Sequence, residues 1–173
     1  MSNLRYAIWY EPTGKVYDEI KQIIINLAKK YHTSFSEPHI TLLPGGSGLK
    51  KDVVIHKMQK LIMQKKAFTT KLKEFGYMDE YFKCIFIKVQ QTAEVMKFAH
   101  DIQQEFNNQT DPTFSPHISI FYGKLPVSEK INIINSLDGK YEASFILEKV
   151  DIIEYEFGKS SESWKKVARI KII

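Results

Sequence analysis

The chain has 173 residues, which suits one domain with a sizeable core, and its 43% apolar and 26% charged residues are typical of a globular protein. No stretch approaches the roughly 18 consecutive apolar residues that a membrane-spanning helix needs, so we expect no membrane partner. The formal charge of +5 favours an anionic ligand, but lysine pairs on a solvated surface explain it equally well, and the sequence has no zinc-finger spacing or glycine-rich phosphate loop.

The first half of the chain predicts two strand–helix units. Residues 4–10 are rich in aromatic and aliphatic side chains and end at a Glu-Pro-Thr-Gly turn, which is typical of a strand. Apolar residues at helical spacing predict helices over residues 15–31 and 51–64. Between them, residues 38–43 form a short predicted strand, followed by the glycine-rich residues 44–48, a candidate mobile segment.

The second half predicts two more helices among several strands. Residues 68–78 and 82–89 are typical of an antiparallel pair, and Thr92 is a candidate N-cap for a helix that ends near residue 107. The remaining predicted elements are a strand at 115–122, a short helix at 128–136, and strands at 141–155 and 165–172. Four helices and about seven strands, mixed along the chain without a linker, predict one α+β domain over residues 1–173 with mostly antiparallel pairing.

The single cysteine, Cys84, allows no internal disulfide. It begins the apolar run of residues 84–87, so we interpret it as a small core residue. The first residues of the chain lack a charged region followed by an apolar run, which is the pattern of a secretory signal. We therefore expect an intracellular, cytoplasmic protein.

A short internal repeat is the most informative feature of the sequence. Residues 38–45 read PHITLLPG, and residues 116–123 read PHISIFYG. The two histidines, His39 and His117, are 78 residues apart (117 minus 39), and each copy follows a predicted helix and opens a predicted strand. The repeat therefore suggests two related halves that face each other across a cleft.

Strand geometry gives each copy a polar face and an apolar face. Side chains alternate along a strand, so His39 shares a face with Thr41, and His117 shares a face with Ser119. The intervening isoleucines and leucine point the other way, into a core. We therefore expect two imidazoles and two hydroxyls to face the cleft together.

Two histidines on opposite sides of a phosphorus atom are suited to phosphodiester hydrolysis. With an ordinary pKa of about 6.5, one imidazole can act as a base toward water while the other protonates the leaving oxygen. The hydroxyls of Thr41 and Ser119 can donate hydrogen bonds to the non-bridging oxygens. A five-membered cyclic phosphate is strained, so the chemistry requires no metal or other cofactor.

A metal site is the obvious rival for paired histidines. Neither motif contains an H-x-x-x-H or H-E-x-x-H pair, and no carboxylate stands at ligand spacing inside either one. The remaining histidines, His32, His56 and His100, lie in or beside predicted helices, and we interpret them as surface residues. We predict no metal ligands.

The sequence resembles the 2H phosphoesterase superfamily, which is named for two H-x-[TS]-x motifs. Residues 39–42 (HITL) and 117–120 (HISI) match both motifs. Three further stretches resemble the cyclic phosphodiesterase branch known from fungi and plants: AIWYEP at residues 7–12, EPHIT at 37–41 and SWKKVA at 163–168. The resemblance extends along most of the chain.

This resemblance implies a bilobal, pseudo-twofold fold of two antiparallel sheets that face each other across a cleft, with helices outside. It also implies hydrolysis of nucleoside 2′,3′-cyclic phosphates to 2′-phosphates, or of ADP-ribose 1″,2″-cyclic phosphate, a by-product of tRNA splicing. By the same resemblance, His39 and His117 are the acid–base pair and Thr41 and Ser119 hold the phosphate.

Three aromatic residues complete the predicted site or its surroundings. By the resemblance, Tyr122 binds substrate and Trp9 lies near the cleft mouth, where it can stack on a base or ribose. Both positions also suit core aromatics. Trp164, in an apolar C-terminal strand pattern, is interpreted as a packing residue. Pro44 stands in the first copy where Tyr122 stands in the second, so the two halves differ toward substrate.

Two other functions remain open from the sequence. RNA end processing, by a 2′,5′-phosphodiesterase, a 2′-5′ RNA ligase-like protein or a U6-type exonuclease, uses the same motifs, but an RNA-binding cleft is expected to carry more arginine than Arg5 and Arg169 supply. The third function is a binding module that holds a nucleotide phosphate without turnover. The partner that we expect is a small cyclic nucleotide or an RNA end, bound by a monomer, and the symmetric motifs leave open which histidine is the acid.

Overall fold

The computed structural model describes residues 4–46, 48–107, 110–156, 158–159 and 161–172. Within these residues the chain forms four helices and eight strands in the mixed order that the sequence predicts. Their bounds are β1 Leu4–Tyr10, α1 Gly14–Tyr31, β2 Ile40–Gly46, α2 Lys51–Ile62, β3 Phe68–Tyr77, β4 Ile85–Val89, α3 Ala93–Asn107, β5 His117–Phe121, α4 Val127–Ser136, β6 Ala143–Leu147, β7 Lys149–Glu156 and β8 Lys165–Lys171.

The strands form one antiparallel sheet in the order β6-β3-β4-β5-β2-β1-β7-β8. Its two four-stranded halves meet where β2 runs beside β5, through the residue pair Ile40 and Ile118. The order strand–helix–strand–helix occurs twice, as β1-α1-β2-α2 and as β4-α3-β5-α4. The α+β class and the bilobal arrangement are therefore confirmed, with the two expected sheets present as the halves of a continuous one.

Periodic apolar residues explain how the helices cover this sheet. In α1 the buried positions Ile20, Ile24 and Leu27 recur at helical spacing, and in α2 Val54, Met58 and Ile62 do the same. Their side chains join the main core, which also contains the fully buried Ile40 and Ile118 of the central strands. The sheet face under the helices is therefore apolar, and the motif side chains on the other face are free for a cleft.

Some local predictions are confirmed and some are corrected. Thr92 caps α3, since its side-chain oxygen accepts a hydrogen bond from the backbone N–H of Val95 at 3.3 Å. Cys84 is buried, with 1% of its surface exposed. The predicted strand at 141–155 is two strands, β6 and β7, because the chain passes at Glu148 from pairing with β3 to pairing with β1.

The three histidines outside the motifs do not all lie at the surface. His32 and His56 are exposed, as predicted. His100 is half-buried on α3, and its Nε2 atom has no hydrogen-bond partner among the described residues. The surface interpretation of His100 is therefore wrong, because its helical position turns the ring toward the core rather than toward water.

A buried ion-pair cluster ties β1 to β7 and β8. The carboxylates of Glu11 and Asp151 are 7% and 1% exposed. Arg169 donates hydrogen bonds to both, at 2.7 Å to Glu11 and at 2.6 and 2.8 Å to Asp151, while Lys166 lies 2.7 Å from Glu11 and 3.0 Å from Asp151. Each buried carboxylate thus has two cationic partners, which offsets the cost of its burial.

In the part of the chain that the structure describes, no helix combines the length and the apolar character needed to cross a bilayer.

Candidate active site

The two copies of the repeat lie side by side at the centre of the sheet. The strands pair through Ile40 and Ile118, so His39 and Thr41 flank one member of this pair and His117 and Ser119 flank the other. Because side chains alternate along a strand, all four lie on the face opposite the core.

A cleft of about 1280 Å³ opens over this face. Both histidines and both hydroxyl residues of the repeat line it, so the four side chains predicted to meet do meet. Two aromatic residues that the family resemblance added also line it. The complete predicted set in the cleft wall is Trp9, His39, Thr41, His117, Ser119 and Tyr122.

Both imidazoles are oriented in the same way by the backbone. His39 Nδ1 lies 2.6 Å from the carbonyl oxygen of Glu37, and His117 Nδ1 lies 2.8 Å from that of Ser115. A carbonyl oxygen only accepts, so each Nδ1 carries the proton and donates it. In the neutral rings this leaves the lone pair on Nε2, the atom available to a ligand in the cleft.

His39 is the more enclosed of the two histidines. It is 7% exposed, and its ring stacks on the indole of Trp9 with centroids 3.6 Å apart and an angle of 13° between planes. Burial lowers the pKa of His39 to about 4, despite the opposing hydrogen bond to Glu37, and the charges of His117 and Lys166 act in the same direction as burial. The ring is therefore neutral near pH 7.

His117 is less enclosed. Its ring meets the edge of Phe86 at 5.3 Å, and its side chain is half-buried. Burial lowers the pKa of His117, the hydrogen bond to Ser115 opposes that shift, and the nearby cation of Lys83 adds to it. A bound phosphate anion would act in the opposite direction and favour the imidazolium form.

The two hydroxyl residues are not equivalent. Ser119 Oγ donates a hydrogen bond of 2.6 Å to the backbone carbonyl of Phe82. Thr41 has no hydrogen-bond partner for its hydroxyl among the described residues, so it is free to donate to a ligand. Ser119 must first leave the Phe82 carbonyl, a difference that the two similar motifs do not reveal.

The two aromatic residues taken from the resemblance are both enclosed. Tyr122 is 5% exposed, its hydroxyl accepts a hydrogen bond of 3.1 Å from Ser36, and burial raises the pKa of Tyr122 to about 12 against the effect of that bond. Trp9 is 7% exposed and has one indole face covered by His39. One face of the Trp9 indole therefore packs on the imidazole of His39.

Sequence reasoning missed four aromatic residues of the cleft wall, Phe82, Phe114, Tyr155 and Trp164. Trp164, interpreted from the sequence as packing only, contacts Trp9 edge-on at 5.3 Å and Phe82 at 6.1 Å. Phe82 lies in the 3₁₀ turn Tyr81–Lys83, and Trp164 directly follows the 3₁₀ turn Ser161–Ser163, so the two residues come from opposite halves of the sheet. Such turns have no periodic pattern, and only the Tyr81-Phe82 pair offered a local signal.

The candidate mobile segment at residues 44–48 lies at one side of the cleft. Ser47 lies outside the described residues. Tyr155 Oη donates a hydrogen bond of 2.8 Å to the carbonyl of Pro44, and this hydroxyl lies so close to Gly45 that a Cβ atom there would displace it. The start of the segment is therefore held against β7.

Comparison with known proteins agrees with this arrangement. The family model of cyclic phosphodiesterase-like proteins matches residues 4–173. The curated cyclic phosphodiesterase of Arabidopsis thaliana is 26% identical over 171 residues, which are 94% of this chain and 92% of that protein. The chain belongs to the cyclic phosphodiesterase-like family, and it is a phosphodiesterase. The resemblance to this branch of the 2H phosphoesterases is therefore confirmed.

Solved structures share the fold at low sequence identity. The protein TT0787 of Thermus thermophilus superposes with a TM-score of 0.62 at 14% identity, over 98% of this chain and 97% of that one. LigT of E. coli, solved in complex with ATP, gives a TM-score of 0.61 at 14% identity, over 98% and 96% of the two chains. The complex of LigT with 3′-AMP gives 0.59 at 14% identity and the same coverage.

Proposed function

We propose that this phosphodiesterase hydrolyses nucleoside 2′,3′-cyclic phosphates to nucleoside 2′-phosphates with His39 and His117 as its acid–base pair. The observation that carries the proposal is the pairing of two imidazoles on adjacent strands, each with Nδ1 bound to a carbonyl and Nε2 left for the cleft. ADP-ribose 1″,2″-cyclic phosphate presents the same five-membered cyclic ester and is a second substrate of the proposed reaction.

The reaction needs one proton removed and one supplied. A neutral imidazole takes a proton from water through Nε2, and the water oxygen forms a bond to phosphorus. The bond from phosphorus to O3′ breaks, and the other histidine, as an imidazolium, donates a proton to O3′. The products are a 2′-phosphate and a 3′-hydroxyl group, and the two imidazoles have exchanged protonation states.

We assign the base to His39 and the acid to His117. The greater burial of His39 and its pKa of about 4 keep its ring neutral. His117 is less buried, and a bound phosphate anion raises its pKa toward the range where the imidazolium exists at pH 7. The proposed steps use protein groups alone.

The hydroxyls have a separate role in this proposal. Thr41 donates to one non-bridging phosphate oxygen, and Ser119 donates to another after it leaves the carbonyl of Phe82. Donors placed where negative charge develops stabilise the transition state more than the ground state.

Phosphorus NMR of the protein with uridine 2′,3′-cyclic phosphate and EDTA tests the proposal. We expect one product, the 2′-phosphate, and at least about a 100-fold slower reaction for His39→Ala and for His117→Ala. Circular dichroism of each variant controls for folding. Near-normal turnover by either variant, or loss of activity with EDTA alone, would contradict the two-histidine mechanism.

A further inference from the structure

A short segment at the edge of the cleft exposes more apolar surface than its position requires. This rim segment, residues 78–83, connects β3 to β4 and includes the 3₁₀ turn Tyr81–Lys83. Met78, Tyr81 and Phe82 are 43%, 45% and 53% exposed. Large apolar side chains clustered at the mouth of a binding cleft are typical of an interaction site.

The rim segment is held in place by a buried charge. Lys130 on α4 is 1% exposed, and its ammonium group donates to the carbonyl oxygen of Met78 at 2.9 Å and to the carboxylate of Asp79. Burial of an ammonium group is costly unless it is paired and hydrogen-bonded. The pairing fixes the backbone of the segment. Its exposed aromatic rings therefore project from a fixed backbone.

One further hydrogen bond attaches the turn to the end of β5 and does not depend on the catalytic hydroxyls. The N–H of Gly123 donates to the carbonyl of Tyr81 at 2.9 Å. The backbone of the turn is thus tied to the segment that follows the strand of His117. A ring held in this way loses little conformational freedom when a ligand stacks on it.

The rings of Tyr122, Phe82 and Tyr81 form a continuous series at the edge of the cleft. The ring centroids of Tyr122 and Phe82 are 5.3 Å apart, and those of Phe82 and Tyr81 are 5.0 Å apart, both with edge-type geometry. Tyr122 and Phe82 line the cleft, and Tyr81 continues the series outside the described lining. The cleft, at about 1280 Å³, also exceeds the roughly 300–1000 Å³ of a typical small-ligand pocket.

The charges around the cleft favour stacking over phosphate contacts. The charged side chains in the described lining are two lysines, Lys83 and Lys159, and two carboxylates, Glu80 and Asp111. Their formal charges cancel, so the lining does not form a basic track for a long nucleic-acid backbone. An additional nucleotide at this edge would be held by its base, on the exposed rings.

We propose that Tyr81 and Phe82 form a second nucleoside subsite, which binds the base of the nucleotide on the 5′ side of the cyclic phosphate terminus. The substrate class that this subsite selects is a short oligoribonucleotide ending in a 2′,3′-cyclic phosphate. One phosphodiester link joins the two nucleotides, so the second base leaves the cleft at its rim. This inference rests on the proposed function, since it extends the substrate that the histidines act on.

Three substrates separate the contributions of base and phosphate. They are uridine 2′,3′-cyclic phosphate, the same nucleotide with a 5′-phosphate, and the dinucleotide adenylyl-uridine 2′,3′-cyclic phosphate. Stacking of one base on an aromatic side chain typically improves binding by about 5- to 150-fold. We expect kcat/KM for the dinucleotide to exceed that for both mononucleotides by this factor, mainly through KM and with little dependence on salt concentration.

Tyr81→Ala tests the subsite with a matched control in the same hairpin. We expect the ratio of the dinucleotide to the mononucleotide kcat/KM to fall toward one in this variant. Tyr77 has a similar exposure of 41% and lies outside the described cleft lining, so Tyr77→Ala should keep the ratio of the unmodified protein. Tyr81→Phe should also keep this ratio, because the stacking ring remains. A lower ratio in Tyr81→Ala but not in Tyr81→Phe would therefore reflect loss of the ring.

The outcomes distinguish this inference from the proposed function. Absence of turnover for all three substrates would overturn the proposed function. Turnover of the mononucleotide without a higher kcat/KM for the dinucleotide would overturn the subsite alone. The same conclusion would follow if the mononucleotide with a 5′-phosphate showed the same increase in kcat/KM as the dinucleotide. A concentration-dependent dimer that Tyr81→Ala abolishes in sedimentation velocity would assign the rings to a second copy of the chain and overturn the subsite.

Discussion

Each histidine of the pair has a different environment although both come from the same motif. Trp9 stacks on a face of His39 with centroids 3.6 Å apart, whereas Phe86 and His117 make an edge-type contact with centroids 5.3 Å apart. The difference supports separate roles for two residues that the repeat alone makes interchangeable. A substrate whose leaving group departs without a proton can therefore distinguish the roles of the two histidines.

Replacing O3′ of the cyclic substrate by sulfur gives a leaving group that departs as a thiolate without a proton. We expect His117→Ala to hydrolyse the oxygen substrate about 100-fold or more slower than the unmodified protein, and the sulfur substrate less than about tenfold slower, because the thiolate needs no acid. His39→Ala should hydrolyse both substrates slowly, since both reactions still need an activated water. A thiol-reactive dye and phosphorus NMR measure the two rates. The opposite pattern would exchange the roles of the two histidines.

At the scale of elements, the sequence was most informative where side chains repeat with a regular period. All four helices and the motif strands were predicted, because their apolar residues recur at the period of a helix or a strand. The order of the strands was not predictable from this period. For example, β1 pairs with β7 through Leu4 and Glu156, which are far apart in the chain.

In the site, too, only the residues that belong to a repeating pattern were predictable. His39, Thr41, His117 and Ser119 were found because they repeat, and strand alternation gave their common face. The hydrogen bond from Ser119 to Phe82 depends on a turn in another part of the chain, and no local pattern encodes it.

The pairing of β1 with β2 is the element-scale cause of the low pKa of His39. Trp9 on β1 is the register partner of Thr41 on β2, which brings the indole beside the imidazole. In Trp9→Leu water reaches the ring, so we expect the pKa of His39 to rise from about 4 toward its ordinary value of 6.5.

An NMR titration of the His39 ring protons measures this shift directly. If His39 is the base, the acid limb of the pH profile of kcat/KM moves to higher pH by the same amount, because a base must be neutral to act. Phe86→Leu is the matched control, since it opens the environment of His117 and leaves the titration of His39 in place. An unchanged His39 titration in Trp9→Leu would show that burial by the indole is not the cause.

At the scale of the molecule, the single pair between Ile40 and Ile118 leaves the two halves of the sheet with little backbone hydrogen bonding between them. The helices and the shared apolar core connect the halves instead, since α1 also packs on β5 and α3 also packs on β2. Each half must therefore keep its own strands together. In the half formed by β2, β1, β7 and β8, the ion-pair cluster of Glu11, Asp151 and Arg169 joins β1, β7 and β8 and serves this purpose.

Asp151→Asn tests this cluster. Burial opposes ionisation of Asp151, but hydrogen bonds from Arg169 and Lys166 outweigh it and hold the pKa of Asp151 below its usual range. Loss of one partner from a buried ion pair costs about 3–5 kcal/mol of unfolding free energy, and we expect that decrease near pH 7. Asp18→Asn makes the same chemical change at an exposed site of α1 and should cost less than about 0.5 kcal/mol.

The pH dependence gives the sign of the effect. A carboxyl group whose pKa is lowered by folding stabilises the protein above its unfolded pKa of about 3.9, and this contribution is lost as the pH falls through the folded pKa. The difference between the unmodified protein and Asp151→Asn should therefore be largest near pH 7 and decrease below about pH 4. Urea denaturation at a series of pH values, followed by circular dichroism, measures it. A difference that stays constant with pH would mean that the ionised form of Asp151 contributes nothing to the connection between β1, β7 and β8.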